Sequence, residues 1–330
     1  HDGAAPDIPR HTAPSPPVPG RPAVVILDLP VATQSPPMLQ HMAVSADPWP
    51  GREVVGRSAD GTSYVQHAVA PLSAAVGETL DVLAPGPLWR WDNANGLMVR
   101  LWGGAVTSIA DTAALAGENS FALKGPDGLW EILTAARAEM VGDGVYRLSR
   151  FLRGLGGSED AARRPVPAGA TLVRLDRAVF GLTDSTADLG RTWHYRVGPV
   201  GRDHGDPLMR AVSATVGRLA LMPFAPVHVR ARRVAGGIVI SFIRRSRIGG
   251  DAWEIAEIPL GEEGEAYELD IRDGEDVRRR LTTGSPAAFY PDADELADFG
   301  SVQATLALTL AQMSAAAGRG FETRVTVPIL

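Results

Sequence analysis

The stretch TLALTLAQMSAAAGRGFETRVTVPI, residues 305–329, decides the fold class of this chain. Every second residue in parts of both halves is aliphatic: Leu306, Leu308, Leu310, Val325 and Val327. A period of two puts alternate side chains on opposite faces of a β-strand, so that one face can be buried. We therefore predict strands over 305–313 and 321–329, paired as a hairpin across the Gly-Arg-Gly turn at 318–320.

Short strands of the same kind follow the segment PFAP at 223–226, which we take as a domain boundary. The further candidates are 227–234, 237–243, 253–259 and 266–271. Six or seven short strands in about 100 residues are typical of an antiparallel sandwich. Residues 226–330 are therefore predicted to form a fibronectin type III-like or immunoglobulin-like β-sandwich.

Residues 23–223 are predicted to form another β-rich domain, which makes the whole chain mainly β. Within it, Asn95-Gly96 between two apolar segments predicts a hairpin turn. One short helix is expected near 129–141, because apolar residues recur there at helical spacing: Leu129, Ile132, Leu133, Ala136 and Met140. Residues 1–22 contain seven prolines and are predicted to be a disordered linker.

The composition excludes several classes of function. The 330 residues carry 32 basic and 38 acidic side chains, a net charge of −6, so we expect no direct nucleic-acid binding. The chain has no cysteine, which excludes disulfides, thiolate-bound zinc and a cysteine nucleophile. No apolar run reaches the roughly 18 residues of a membrane-spanning helix. The sequence begins at His1, and we expect it to be the C-terminal piece of a longer protein.

No motif in the sequence carries a recognisable chemistry. Zinc-protease, serine-hydrolase, P-loop and dinucleotide-binding patterns are missing, and we expect no catalysis, no cofactor and no metal in this chain. The glycines of 154–157 lack the ending of a phosphate loop and read as a turn. The acidic residues of 292–298 read as a solvated loop, although paired carboxylates can in principle serve glycoside hydrolysis.

Charge is unevenly distributed in the last domain. An arginine cluster precedes an acidic stretch, and its candidate residues are Arg244, Arg245, Arg247, Glu262 and Glu265. One interpretation is ordinary pairing of charges across neighbouring strands. The other is a complementary face that docks another subunit.

Three of the seven tryptophans are candidates for ligand contact. Trp89 and Trp91 are two residues apart, so in a strand they would share one face, and Trp102 could join them after the predicted turn. Such a cluster either builds a core or forms an exposed platform for sugar rings. Both interpretations stay open.

Residues 119–159 resemble a signature of large phage tail proteins. Its parts occur in a fixed order: Asn119-Ser-Phe-Ala-Leu, Trp130-Glu131, Ala138-Glu139, Tyr146-Arg-Leu148 and Leu152-Arg153-Gly154-Leu-Gly156-Gly157-Ser158-Glu159. The family has Gly-Thr-Glu where this chain ends in Gly-Ser-Glu. The last domain is also similar, with Ile240-Ser-Phe242, Ala297-Asp298-Phe299-Gly300 and Ala311-Gln312-Met-Ser314, although the family has Trp at the position of Phe242.

The chain is most similar to the baseplate "megatron", or host-specificity, proteins of rhodobacterial gene transfer agents. The resemblance implies a structural component of a phage-like tail tip or baseplate that supports attachment to the recipient cell and delivery into it. It implies a trimer, other tail and baseplate proteins as partners, and the recipient surface, including polysaccharide, as a target. It also implies a virion-like particle as location, outside the producing cell after release. The alternative is a carbohydrate-binding module for cell-surface polysaccharide.

Overall fold

The computed structural model describes residues 20–31, 37–183, 185–250 and 257–330. Most of the predicted linker at 1–22 and the first part of the predicted strand at 253–259, with Trp253, lie outside these residues. The described part is mainly β, as predicted, and its sheets are antiparallel. No described helix is long and apolar enough to cross a membrane.

The described elements follow one another along the chain in this order: β1 (Ala23–Leu27), β2 (Gln40–Ser45), β3 (Glu53–Ser58), β4 (Val65–Ala70), β5 (Val76–Thr79), β6 (Asp92–Trp102), α1 (Asp111–Leu115), β7 (Ser120–Lys124), β8 (Trp130–Gly142), β9 (Val145–Leu152), α2 (Glu159–Ala162), β10 (Thr171–Arg174), β11 (Phe180–Thr183), β12 (Thr192–Pro199), β13 (Arg210–Thr215), β14 (Val227–Val234), β15 (Gly237–Ile243), β16 (Tyr267–Asp273), β17 (Asp276–Thr283), β18 (Ala287–Pro291), α3 (Asp292–Phe299), β19 (Thr305–Ser314) and β20 (Gly318–Pro328). Three short 3₁₀ turns connect some of them.

The predicted domain at 23–223 consists of two parts. Strands from both of its ends form the two-sheet body, with strand orders β1-β2-β11 and β13-β12-β3-β4. The intervening strands close into a six-stranded barrel in the order β10-β5-β6-β9-β8-β7. The barrel is therefore inserted into the body between β4 and β11.

The inside of the barrel is a packed core. Its buried side chains come from β6 to β10 and from the loops between strands, and they include Leu97, Val99, Phe121, Leu133, Tyr146, Phe151 and Leu172. Along β6, residues 97, 99 and 101 are buried whereas residue 100 and Trp102 are exposed, which is the alternation of a strand with one face inward. The barrel is thus filled by side chains.

The helix predicted near 129–141 is wrong, because this segment is the long strand β8. Residues 130–136 of β8 are all buried. Leu133 and Ala135 face the barrel core, while Trp130 and Ile132 pack on the other side against Leu27 and its neighbours. A strand that is buried on both faces is apolar at consecutive positions, and such a run contains helical spacings by accident.

The hairpin predicted at Asn95-Gly96 is also absent from this part of the structure, since both residues lie within β6. They form a bulge: Asp92 is opposite Phe151 and Gly96 is opposite Ser149, so four steps on β6 match two on β9. The carboxylate of Asp92 accepts the backbone N–H of residue 94 at 3.2 Å and of Asn95 at 3.1 Å. The Asn-Gly dipeptide, which is typical of turns, therefore forms a β-bulge within a strand here.

The C-terminal domain is the predicted sandwich. One sheet has the order β14-β15-β18 and the other β17-β16-β19-β20, and the predicted hairpin forms β19 and β20. The three leucines of β19 are fully buried between the sheets. Phe242 packs edge-on against Tyr267, with ring centroids 4.8 Å apart. This seven-stranded arrangement is fibronectin type III-like.

The residues of 292–298 form the helix α3 instead of the predicted solvated loop. Its Glu295 is buried and accepts two hydrogen bonds of 2.9 Å from Arg233 of β14. This hydrogen bond holds the pKa of Glu295 below its usual range. This acidic segment is therefore part of the packing of the sandwich, because α3 places the carboxylate of Glu295 against the guanidinium of Arg233.

The boundary at 223–226 is a fixed joint between the body and the sandwich. The backbone N–H of Phe321 donates to Pro223 O at 2.9 Å, and Arg218 donates to Ala317 O at 2.9 Å. Phe224 is buried at the joint. Bending at the boundary would break these two hydrogen bonds and expose the ring of Phe224.

Candidate functional site

The signature residues of 119–159 build a buried ion-pair network at one end of the barrel. Arg153, which follows β9, donates to both carboxylate oxygens of Glu131 on β8, with a distance of 2.8 Å from Nη2 to Oε2. Its Nη1 donates to Ala84 O at 3.1 Å and to Asp92 Oδ2 at 3.3 Å. The charged side chains are removed from water. The Trp-Glu and Leu-Arg-Gly parts of the signature thus hold the barrel strands together.

The rest of the signature turns the chain from the barrel toward the sandwich. The backbone at Gly154, Gly156 and Gly157 has positive φ, which glycine adopts most easily. Ser158 Oγ accepts the N–H of Ile132 at 2.8 Å. Glu159 then accepts a hydrogen bond of 2.8 Å from Arg245 of the C-terminal domain. The glycine-rich segment is therefore a structural corner, as the turn interpretation expected.

The three candidate tryptophans do not form one platform. Trp91 directly precedes β6 and Trp102 ends it, so about 30 Å of strand separates them. Trp89 and Trp91 lie outside any strand and contact different arginines: the guanidinium of Arg245 is 4.5 Å from the ring of Trp89, and that of Arg150 is 4.5 Å from the ring of Trp91. The expected common face is wrong because residues 88–91 do not continue β6.

The core interpretation is also wrong for two of these rings. Trp89 is 69% exposed and Trp102 is 48% exposed. Trp89 has a φ of 64°, an uncommon backbone conformation for a residue with a bulky side chain. Single exposed apolar side chains are common on protein surfaces, so the surroundings of each ring decide whether it can bind a ligand. Each of the two rings borders a separate cavity.

The first cavity, the Trp102 groove, lies between the end of the barrel and the sheet that contains β1 and β2. Its volume is about 750 Å³. Its walls carry two indoles and two side chains of each charge: Trp49, Trp102, Arg21, Arg100, Asp47 and Asp143. Ser45 and Ser73 also line it.

The second cavity, the Trp89 cleft, lies between the barrel and the sandwich and has a volume of about 720 Å³. It is lined by Trp89, Glu159, Val227, His228, Arg245 and Phe321, among others. Arg245 crosses the domain boundary, because it pairs with Glu159 and also lies 4.9 Å from the ring of Phe224. Part of the cleft is thus occupied by contacts that fasten the two domains.

The five residues considered for subunit docking have partners within the chain. Arg247 donates to Glu262 at 2.9 Å, and both side chains are almost buried. Arg244 donates to the carbonyl oxygens of residues 258 and 259, and Glu265 accepts from the hydroxyl of Tyr267 at 2.8 Å. With Arg245 on Glu159, each of the five residues thus has a contact within the chain, and docking of another subunit stays a prediction.

Sequence reasoning missed a group of buried titratable residues in the two-sheet body. Glu53, at the start of β3, is fully buried, and neither carboxylate oxygen has a hydrogen-bond partner among the described residues. Burial raises the pKa of Glu53 to about 7. Burial likewise raises the pKa of Asp28 to about 6 and lowers the pKa of His41. A single Asp, Glu or His in the sequence does not reveal whether its own side chain is buried.

The described residues contain no cluster of three or more histidines or acids arranged to hold a metal ion. The ring of His204 lies against the ring of Tyr64, with centroids 5.8 Å apart, which is a packing contact.

Comparison with known proteins found one family match. Residues 74–173 match the family model described as "Rcc01698-like, C-terminal". The search of curated proteins found no match. Similar solved structures include the crystal structure of a β-1,2-glucanase from Parabacteroides distasonis, 12% identical, with 77% of this chain and 36% of that chain covered at a TM-score of 0.21.

The chain thus spans about a third of the glucanase, and a TM-score this low supports no inference about fold or activity. The family match is more informative because of where it falls. It runs from two residues before β5 to the third residue of β10, and so covers the inserted barrel with its ion-pair network. The match supports a protein related to gene transfer agents.

Proposed function

We propose that this chain is a structural component of the tail tip or baseplate of a phage-like gene transfer agent, where it supports attachment to the recipient cell and delivery into it. The single observation that carries the proposal is the coincidence of the family match with the complete barrel. The signature that resembles phage tail proteins lies in the same residues and holds the barrel together through Arg153.

The architecture suits a load-bearing part. The barrel has a packed interior, and the joint to the sandwich is crossed by the Arg245–Glu159 pair and by the hydrogen bond from Phe321 to Pro223. Rigid modules with fixed joints transmit position from one end of an assembly to the other. We propose a rotationally symmetric arrangement, a trimer, in contact with other tail proteins, since symmetry multiplies weak contacts.

The proposal assigns no reaction to this chain. Two of its most buried carboxylates, Glu131 and Asp92, are engaged by Arg153, and Glu295 is engaged by Arg233. The hydrogen bond from Arg233 holds the pKa of Glu295 below its usual range, which makes this carboxyl a poor general acid. The geometry supports a scaffold better than an enzyme.

The rival hypothesis, a free-standing carbohydrate module, depended on one platform of Trp89, Trp91 and Trp102. The length of β6 separates Trp102 from the other two rings. The hypothesis of a carbohydrate module with a single three-tryptophan platform is therefore not supported. Saccharide binding has to be considered separately for the Trp102 groove and the Trp89 cleft.

The test is a deletion of residues 226–330 from the chromosomal copy in a particle-producing cell. We expect tails to be missing or broken, or to be intact and no longer able to adsorb, as seen by electron microscopy and by adsorption to recipient cells. The first result makes the sandwich an assembly element and the second a receptor-binding domain. Normal tails with normal adsorption, together with no trace of the chain in purified particles, would overturn the proposal.

A further inference from the structure

We propose that the Trp102 groove binds a neutral saccharide of the cell surface. The inference rests on the proposed function only for the source of the saccharide. The groove is distinct from the platform of three tryptophans that the sequence suggested, because it combines Trp102 with Trp49 and excludes Trp89 and Trp91.

The aromatic part of the groove fits a sugar ring. Trp102 projects from the outer face of β6 and is 48% exposed, although it neighbours the buried Val76 across the strand pair. Trp49 lines the same groove and is itself half-buried, with its other side on the core of the two-sheet body. A flat indole offers an apolar face to the C–H groups of a pyranose, and a pre-positioned ring loses little entropy on binding.

The charged part of the groove favours a neutral ligand. Arg21 and Arg100 are balanced by Asp47 and Asp143, so the walls carry no net charge. Guanidinium groups donate hydrogen bonds and carboxylates accept them, which is the combination that vicinal hydroxyl groups can use. With equal numbers of guanidinium and carboxylate groups on its walls, the groove offers no net charge to attract an anionic or a cationic ligand.

The floor of the groove adds hydroxyl groups. Gly103, which follows Trp102, has a φ of 80°, and a Cβ placed on it would lie 2.8 Å from Ser45 Oγ and 3.2 Å from Ser73 Oγ. Both hydroxyls therefore face the same point under the edge of Trp102. Ser73 Oγ is buried and has no hydrogen-bond partner among the described residues.

The Trp89 cleft fits this chemistry less well, which makes it a useful comparison. The hydrogen-bonding groups nearest to its indole, Arg245 and Glu159, already pair with each other at 2.8 Å. Its opposite wall includes the apolar side chains of Val227 and Phe321. Trp89 is more exposed than Trp102, so its removal controls for the loss of an exposed indole as such.

The experiment uses the full chain on an array of neutral hexose oligomers and of uronate-containing oligomers, followed by calorimetry with the best neutral hit. We expect the chain to bind a neutral oligomer. The variant Trp102→Ala should lose about tenfold or more in affinity, Trp102→Phe less, and Trp89→Ala nothing measurable. No neutral binding, binding of uronate oligomers alone, or unchanged affinity of Trp102→Ala would each overturn the inference.

A particle assay separates this inference from the proposed function. Particles carrying Trp102→Ala should have normal tails and reduced adsorption, with the Trp89→Ala particles unaffected. If the chain is absent from tails but the isolated chain still binds the oligomer through Trp102, the proposed function fails and the saccharide site stands. If the chain is in the tails but Trp102→Ala binds normally, the reverse holds.

Discussion

In the barrel, Arg153 and its two carboxylates are removed from water, whereas in the sandwich partly exposed arginines converge on the buried Asp270. Arg280 and Arg319 both reach Asp270, at 2.6 and 2.9 Å, and Arg319 also reaches Glu268 at 2.5 Å. Burial raises the pKa of Asp270, but the hydrogen bond from Arg280 and the charge of Arg319 outweigh it, so the pKa lies below its usual range.

This difference predicts how strongly the loss of one charged side chain destabilises each region. A desolvated arginine with two carboxylates leaves an uncompensated charge when one partner is removed. A charge on an exposed sheet face has water and several neighbours as alternatives. We expect substitution of Arg153 in the barrel to be severe and substitution at the exposed pairs of the sandwich, such as Arg278–Asp273, to be mild.

The largest effect is expected for Arg153→Ala. Removing the guanidinium leaves Glu131 and Asp92 buried and unpaired, which should lower the free energy of unfolding by about 3–5 kcal/mol. Urea denaturation followed by circular dichroism measures it. Arg147→Ala, an exposed residue on the same strand, is the matched control and should change it by less than about 0.5 kcal/mol. Similar losses for the two variants would remove the contrast.

Glu53→Gln tests a third way of burying charge, in the two-sheet body. The folded chain, with a pKa of about 7 for Glu53, keeps a proton that the unfolded chain has already lost above its ordinary pKa. The free energy of unfolding of the wild type should therefore fall as the pH rises toward 7.

Glutamine mimics the protonated acid, so the variant should match the wild type near pH 4. At about pH 8 it should be more stable by about 1–3 kcal/mol. Urea denaturation of both proteins across this range measures the difference. A difference that does not change with pH would mean that the pKa of Glu53 is the same in the folded and the unfolded chain.

Arg245→Ala tests the joint between the two regions. The change removes the pair with Glu159 and the contacts with Trp89 and Phe224, at an expected cost of about 1–2 kcal/mol. Scanning calorimetry should then show the sandwich melting separately from the rest. Arg244→Ala, which removes hydrogen bonds within the sandwich only, serves as the control and should leave the number of transitions unchanged.

The smallest effect is expected for Arg278→Ala on β17. Its pair with Asp273 at 2.7 Å is half exposed on both sides, so the loss should stay within about 0.5 kcal/mol. Thermal unfolding measures it most simply. A loss as large as that of Arg153→Ala would show that exposure does not decide the strength of these pairs.

The sandwich could be predicted from the sequence because its strands are buried on one face. The leucines of 306–310 alternate with less buried or small residues, and that alternation is visible without a structure. In β8 both faces of residues 130–136 are buried, so the alternation is erased and a helix was predicted. Periodicity reports on one-sided burial, and the barrel is buried on two sides over this stretch.

The candidate residues show the same limit. The resemblance singled out Trp130-Glu131 and Leu152-Arg153-Gly154, but not their role, because Arg153 meets Glu131 across 22 residues and Asp92 across 61. Trp102 became a candidate because it follows Trp89 and Trp91 closely in the sequence. Its partner Trp49 did not, since the groove joins segments whose proximity depends on the inserted barrel.

The insertion of the barrel has a mechanical consequence. Val76 at the start of β5 lies directly opposite Val173 near the end of β10, so the chain enters and leaves the barrel at neighbouring points. Meanwhile β2 pairs with β11 and β3 pairs with β12, across the insertion. Tension along the chain can therefore pass from one flank to the other through the body, bypassing the cylinder. The barrel strands therefore do not lie between the paired flanks, although the barrel packs against the body through Trp130 and Ile132.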